Sequence, residues 1–263
     1  MVVGFYSPMC LDVVPSLLAL TFYCVLKENK DVLIINAVNN DYELESALGI
    51  LDESLLYDVG LDYLFRAIKG NPISKENIQN ACLSFASQKL HILSASGRAI
   101  KVYDKYVQKE LQEIIEVAKS EYDYIFINLM GTKDIKEWDD VVHSCCNKVV
   151  INVSQNRRKS EKYIKRDMEY CLQKGVNCRS KMVYLIDRYD EKSVYNSRNF
   201  STLFPHITLG AIPYETEYYD AIYNSNVIEY MQKENVNNDK TWNSFFLQIE
   251  PVCNMILKEG RRG

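Results

Sequence analysis

Cationic side chains crowd into one short run of this sequence, Arg157-Arg158-Lys159-Ser160-Glu161-Lys162-Tyr163-Ile164-Lys165-Arg166. On a helix Arg158, Lys162 and Arg166 share a stripe, with Lys159 and Lys165 beside it. Such a surface docks DNA, anionic lipid or an acidic partner. A solvated helix face reads the same way, and the rest of the chain is acidic, with 31 Lys and Arg against 35 Asp and Glu. Metal and redox chemistry find less support. The 8 cysteines contain no C-x-x-C and there are only 3 histidines, so no tetrahedral site has plausible spacing. The expectation is buried, reduced thiols in a reducing cytosol. Of the scattered acids, Asp123 reads as a turn residue before a strand, and Asp41 lies in a segment after one.

The elements that position these residues follow from hydrophobic patterning. With 47% hydrophobic and 25% charged residues, the 263-residue chain is an ordinary globular protein, which excludes disorder, collagen-like repeats and a disulfide scaffold. Strands are expected at Val2–Ser7, Asp31–Ala37, Lys89–Ala95, Asp123–Leu129, Lys148–Ser154, Lys181–Asp187 and Ile207–Pro213. Most are continuous apolar runs, the mark of a parallel sheet covered on both faces. Helical patterns fall between them, at Val102–Lys119 and Arg157–Lys174 among others, and a closing helix spans about Lys240–Lys258. The alternation predicts an α/β fold: one domain over 1–263, a doubly wound, mostly parallel sheet of about seven strands, and helices on both faces. Ligands of such sheets bind beyond the carboxyl ends of the strands, here after Ser7, Ala37, Leu129, Ser154 and Asp187.

The N-terminal region has no basic signal-like segment, since the first Lys is Lys27, and the apolar run Val13–Leu26 is too short to span a bilayer. The expected location is the cytoplasm, with peripheral attachment at the inner face of the membrane as the alternative. Glycine is scarce, at 10 in 263 residues, about half the usual ~7%. Phosphate-binding loops normally concentrate this residue.

Several phrases agree in order with one family. "FYSP", "SLLALTFYCVLKENKDVLIINA", "GLDYLFRAIKGN", "QKLHILSASG", "EYDYIFINLMG", "VVINVSQNRRKSEKYI", "MVYLIDRYDEKSVYNSRNF" and "LGAIPYETEYYDAIYNSNVIEYM" run through nearly the whole chain. Together they resemble the MinD/ParA-like deviant P-loop ATPases, with a looser likeness, through "RYDEKSVYN", to the TadZ/CpaE-type proteins that localise pilus assembly. The resemblance implies a P-loop NTPase fold, nucleotide-dependent pairing of subunits and a positioning role.

The residues at the family's working positions differ. Its loop K-G-G-V-G-K-[ST] corresponds to Met9-Cys10-Leu11-Asp12-Val13-Val14-Pro15, followed by Ser16. Met9 and Val14 stand where the two lysines would be, no glycine is present, and Pro15 replaces the hydroxyl that holds magnesium and removes an amide donor. Asp12 brings negative charge to a phosphate position. The Asp-x-Asp of the second strand is Asn36-Ala37-Val38, and the magnesium-side aspartate of the fourth strand is Asn128. Asp187, Arg188 and Pro213 lie at positions that could retain contacts to a base.

Because each lost element would supply several kcal/mol of charge stabilisation, the expectation is a pseudo-ATPase with no catalytic residue, no metal and no cofactor. Weak ATP or ADP binding, with or without slow hydrolysis, is the alternative, and a partition-type DNA-associated protein is another. Expected partners are proteins: a homodimer, a heterodimer with an active relative, or a pilus or secretion machine. DNA and an anionic membrane surface are left open. A nucleotide-independent interface would suit the apolar Met9, Leu11 and Val14. The closing helix either packs on the domain or acts as a membrane tail, with Pro251 expected to interrupt it and Arg261 and Arg262 following it.

Overall fold

A computed structural model of the chain describes residues 1–38, 42–56, 58–68, 72–86, 88–95, 105–130, 135–237 and 245–257. Asp41, Val102, Trp242, Arg261 and Arg262 lie outside these residues, as does the side chain of Cys178.

The strands are β1 (Val2–Tyr6), β2 (Val32–Asn36), β3 (Leu83–Phe85), β4 (Leu90–Leu93), β5 (Tyr124–Asn128), β6 (Lys148–Val153), β7 (Met182–Tyr189) and β8 (Thr208–Pro213). They form one sheet in the order β3-β4-β2-β5-β1-β6-β7-β8, parallel except where β3 meets β4. The doubly wound α/β expectation therefore holds, with eight strands in place of seven. The added strand has three residues, too few to show a period, and is set by the tight turn at Ala86 and Gln88, both at positive φ.

The helices are α1 (Val14–Phe22), α2 (Glu43–Ala47), α3 (Gly60–Ala67), α4 (Lys75–Ala81), α5 (Lys105–Ala118), α6 (Asp139–Ser144), α7 (Arg157–Lys174), α8 (Val176–Lys181), α9 (Ser197–Leu203), α10 (Thr216–Tyr223), α11 (Val227–Asn237) and α12 (Phe245–Leu257). Two apolar layers result. One face of the sheet packs on residues of α3 to α7 and α9, the other on α1, α2 and α10 to α12. Burial of the central strands on both faces explains their uninterrupted apolar sequences.

Gly4 of β1 has no room for a side chain, since a Cβ would lie 2.7 Å from Leu129 Cδ1. Pro251 does not interrupt the closing helix. α12 runs through it, burying Phe245, Phe246, Ile249, Val252 and Ile256 against the sheet at Gly210. That packing compensates for the missing amide. No helix among the described residues is long and apolar enough to cross a membrane.

Candidate functional site

After β1 the chain crosses to one half of the sheet, and after β6 to the other, so the carboxyl ends of these neighbouring strands form a switch point where ligands bind in such folds. The segment from Ser7 to Val13 lies there. Ser7 is fully buried and donates to the carbonyl of Asn152, at the end of β6, over 3.1 Å. Its Oγ accepts the amides of Met9 (3.3 Å) and Leu11 (3.2 Å), and its own carbonyl accepts that of Cys10 (3.2 Å). Cys10 takes a positive φ of 52° to complete the turn.

The N-terminus of α1 is closed in the same way. Asp12 Oδ1 accepts the Val14 amide at 2.8 Å, and Pro15 has no amide to offer. A helix N-terminus attracts an anion through exposed amides and its dipole. Here a carboxylate of the chain itself takes that place. The amides of Met9, Cys10, Leu11 and Val14 are thus all engaged within the segment. Met9 is half-buried with Ser160 Oγ 3.7 Å from its sulfur, Leu11 is half-buried, and Val13 and Val14 join the core. Cys10 is exposed at the tip of the turn, which corrects the expectation of uniformly buried thiols. Cys82 is half-buried, and the remaining described cysteines are buried and form no disulfide.

Behind the segment lies a buried polar chain. Asn152 Nδ2 donates to Ser16 Oγ at 2.6 Å, Ser16 reaches Asp187 Oδ1 at 3.5 Å, and Tyr219 donates to the same oxygen at 2.8 Å. Burial pushes the Asp187 carboxyl up from its usual range, against hydrogen bonds from Tyr219 and Ser16 and the charge of Arg188. Burial and the Asp187 charge likewise push the Tyr219 phenol up. Arg188 takes a positive φ of 51°, lays its guanidinium over the Tyr219 ring and meets the Tyr223 hydroxyl. Asp187 thus faces inward to Ser16, while Arg188 faces the Tyr219 ring and the exposed Tyr223. Pro213 ends β8 opposite Tyr189.

The asparagines at the ends of β2 and β5 form a second network. Asn128 Nδ2 donates to Asn36 Oδ1 at 2.9 Å, and Asn36 Nδ2 donates to both carboxylate oxygens of Glu45 at 2.9 and 3.2 Å. Glu45 also accepts the Ala95 amide at 3.0 Å and is fully buried, and Val38 is buried nearby in the chain. Sequence reasoning missed Glu45, which reads as one of two acids in a short surface helix. Its signal was its place seven residues beyond Val38, in the short helix α2 that follows β2. Asp123, in contrast, is the expected turn residue. Its carboxyl is held down by the Asp31 amide and Lys30 at the opposite, amino end of the sheet.

The cationic run forms the first half of α7, capped by Asn156. Arg157, Arg158, Lys159, Lys162 and Lys165 are exposed, with Arg157 paired to Glu161. Arg166 leaves the expected stripe. It is half-buried and paired with the buried Asp167, because the helix turn places it at the sheet side. Three bases in the first turn of α7 oppose its dipole, an arrangement that favours an incoming anion. Among the described residues no cluster of three or more His, Cys, Asp or Glu side chains could hold a metal.

With this geometry in place, comparison with solved structures identifies the fold. The chain has the MinD/ParA P-loop ATPase fold. It is similar to a ParA family ATPase from Chlorobium tepidum TLS, with TM-score 0.70, 14% identity and 96% of each chain covered. It is also similar to the septum site-determining protein MinD from Pyrococcus horikoshii OT3, complexed with Mg-ADP, with TM-score 0.67, 15% identity and 95% of each chain covered. A third likeness is to MinD in the MinC:MinD cell division complex of Aquifex aeolicus, with TM-score 0.63 and 17% identity, covering 95% of this chain and 94% of that one. No protein-family model matches the chain, and no curated protein does.

Proposed function

We propose that this chain is a catalytically inactive MinD/ParA-like pseudo-ATPase that acts as a scaffold or positioning factor. The observation that carries the reading is the closed segment Ser7–Val14, in which the amides of Met9, Cys10 and Leu11 bond to Ser7 and that of Val14 to Asp12. A phosphate placed against α1 would displace Asp12 or sit beside it. At ~4 Å and an effective dielectric constant of ~20, that repulsion is about 4 kcal/mol per pair of unit charges. No lysine of the segment offsets it, and Asn36 and Asn128 are amides with no charge to hold magnesium. A core built fully around the unused site supports a role in which shape is kept without hydrolysis.

The partner in this reading is a protein: a second copy, an active relative, or, by the looser TadZ/CpaE likeness, a pilus or secretion machine. MinD in complex with MinC is a precedent for this fold holding a partner. Calorimetric titration with ATP, ADP and GTP, with and without Mg²⁺, tests the reading. No saturable heat is expected, and micromolar binding with turnover would overturn it in favour of a divergent ATPase. A second reading, partition-type DNA association, draws on the exposed Arg157, Arg158 and Lys159. It requires salt-sensitive DNA retention that disappears when all three are changed to Ala.

A further inference from the structure

Where α7 ends, the chain turns a corner. Gly175 takes a positive φ of 96°, and α8 leads directly from it into β7. A groove of about 210 Å³ opens at this corner, lined by Met168, Cys171, Leu172, Gly175 and Arg179. A Cβ at Gly175 would meet nothing within 4 Å, so the corner is open there. Met168, Cys171 and Arg179 also line a narrow inner recess of about 30 Å³, with Met182, His206 and Thr208 among its other walls. Met182 begins β7 and Thr208 begins β8. The groove therefore lies at the amino ends of these strands, at the other end of the sheet from the switch point.

Its walls are apolar and carry one charge. Leu172 is 76% exposed at the mouth, and the methionines give walls that adjust to an aliphatic chain. The volume exceeds the ~150 Å³ that takes a benzene ring in an apolar protein cavity, so a chain of several methylenes fits. Arg179 supplies the charge. Its Nη2 donates to the His206 carbonyl at 2.9 Å, which holds the guanidinium at the recess and uses one of its five N–H donors. No Asp or Glu lines the groove or the recess among the described residues. An arginine fork set on an apolar channel, with no carboxylate on the walls, recognises an anion carried on an aliphatic chain. We propose that this groove binds a single-chain aliphatic carboxylate, a ligand of the fatty-acid class. The carboxylate pairs with Arg179 beside His206, and the chain lies along Met168, Cys171 and Leu172 toward Gly175.

Other occupants use less of the site. A nucleotide is too polar for these walls, and an alkylammonium ion meets Arg179 with like charge. An aliphatic alcohol fills the channel and leaves the guanidinium without a counter-ion. A leucine or phenylalanine of a second copy would cover Leu172 and bring no anion to Arg179. A bilayer phospholipid shares the anion and the chain, but its second chain has no place in a groove of this size.

The probe is sodium octanoate, titrated calorimetrically into the full chain below its micelle concentration and compared with octan-1-ol. Saturable octanoate binding below about 1 mM is expected. Hexanoate should bind about tenfold more weakly, at roughly fourfold per buried methylene. From decanoate to dodecanoate the gain should fall under about threefold, because the groove is by then full. R179M should weaken octanoate about tenfold and leave octan-1-ol within about twofold, since it keeps the aliphatic stem and removes the charge. L172N should weaken both ligands about fivefold. Both residues are exposed, and urea unfolding verifies that the variants fold. The control K192M, an equal charge change in the loop after β7, should leave octanoate binding within about twofold. Four results would overturn the proposal: no saturable octanoate binding, equal binding of octan-1-ol, equal loss in K192M, or undiminished tightening through dodecanoate. Flotation with phosphatidylglycerol vesicles that R179M abolishes would overturn it in favour of a bilayer lipid. Self-association in sedimentation that L172N abolishes would overturn it in favour of a second copy. No nucleotide enters the experiment and the groove is remote from the switch point, so its outcome is separate from that of the pseudo-ATPase reading.

Discussion

Replacing Ser7 with Ala opens the segment that closes the switch point. The Ser7 hydroxyl accepts two amides, at 3.3 and 3.2 Å, and donates to the Asn152 carbonyl at 3.1 Å. A net value of about 1 kcal/mol per hydrogen bond sets an upper figure of about 3 kcal/mol. The Met9 and Leu11 amides are only part-buried, so water recovers some of their loss, whereas the Ser7–Asn152 bond is buried. The expected destabilisation is therefore about 2 kcal/mol, or a fall of about 4–8 °C in the unfolding midpoint for a chain of this size. Urea unfolding of wild type and Ser7→Ala measures the first quantity. Hydrogen–deuterium exchange over residues 8–12 measures the second effect, faster exchange at amides that have lost their acceptor. A loss under about 0.5 kcal/mol together with unchanged exchange would refute the claim that Ser7 holds these amides.

Glu45→Ala strands the Asn36 amide and the Ala95 N–H in the core and should cost about 3 kcal/mol or more in urea unfolding. Glu45→Gln, which keeps an acceptor, should lose less, and equal losses would count against the network. Gly60→Ala should lose about 1–3 kcal/mol by the same measurement, because Gly60 sits at φ +73° and a Cβ would lie 2.8 Å from the Ser94 carbonyl. The Asp187 prediction concerns pH. Burial raises its folded-state carboxyl above the ordinary 3.8, so the folded chain holds that proton more tightly than the unfolded chain. Its contribution to stability is present below that ordinary value and is lost as pH rises through the raised one. The stability difference between wild type and Asp187→Asn should therefore change with pH upward from 3.8, and a flat difference would contradict the assignment.

The sheet was legible because burial on both faces writes mostly apolar runs into β1, β2, β5, β6 and β7, and α7 emerged with its expected bounds. Features that depend on partners distant in the chain were not legible. Glu45 is buried with Asn36 of β2 and the Ala95 amide, just after β4, converging on it, and nothing in Glu43-Leu44-Glu45 distinguishes one acid from the other. The bond from Ser16 to Asp187 spans 171 residues, and local pattern cannot register it. Pro251 was misread for the opposite reason: local chemistry predicts a break, and packing of α12 on β8 overrides it. The altered loop was visible as residue types, but that Asp12 and Ser7 consume its amides is a fact of geometry.

The central claim is that an internal carboxylate and hydroxyl occupy the amides a nucleotide phosphate would need. Calorimetric titration of the full chain with Mg-ATP tests it most directly. The account predicts no saturable heat up to about 1 mM nucleotide, the range of binding worth only about 4 kcal/mol. Saturable micromolar binding, accompanied by phosphate release, would contradict it.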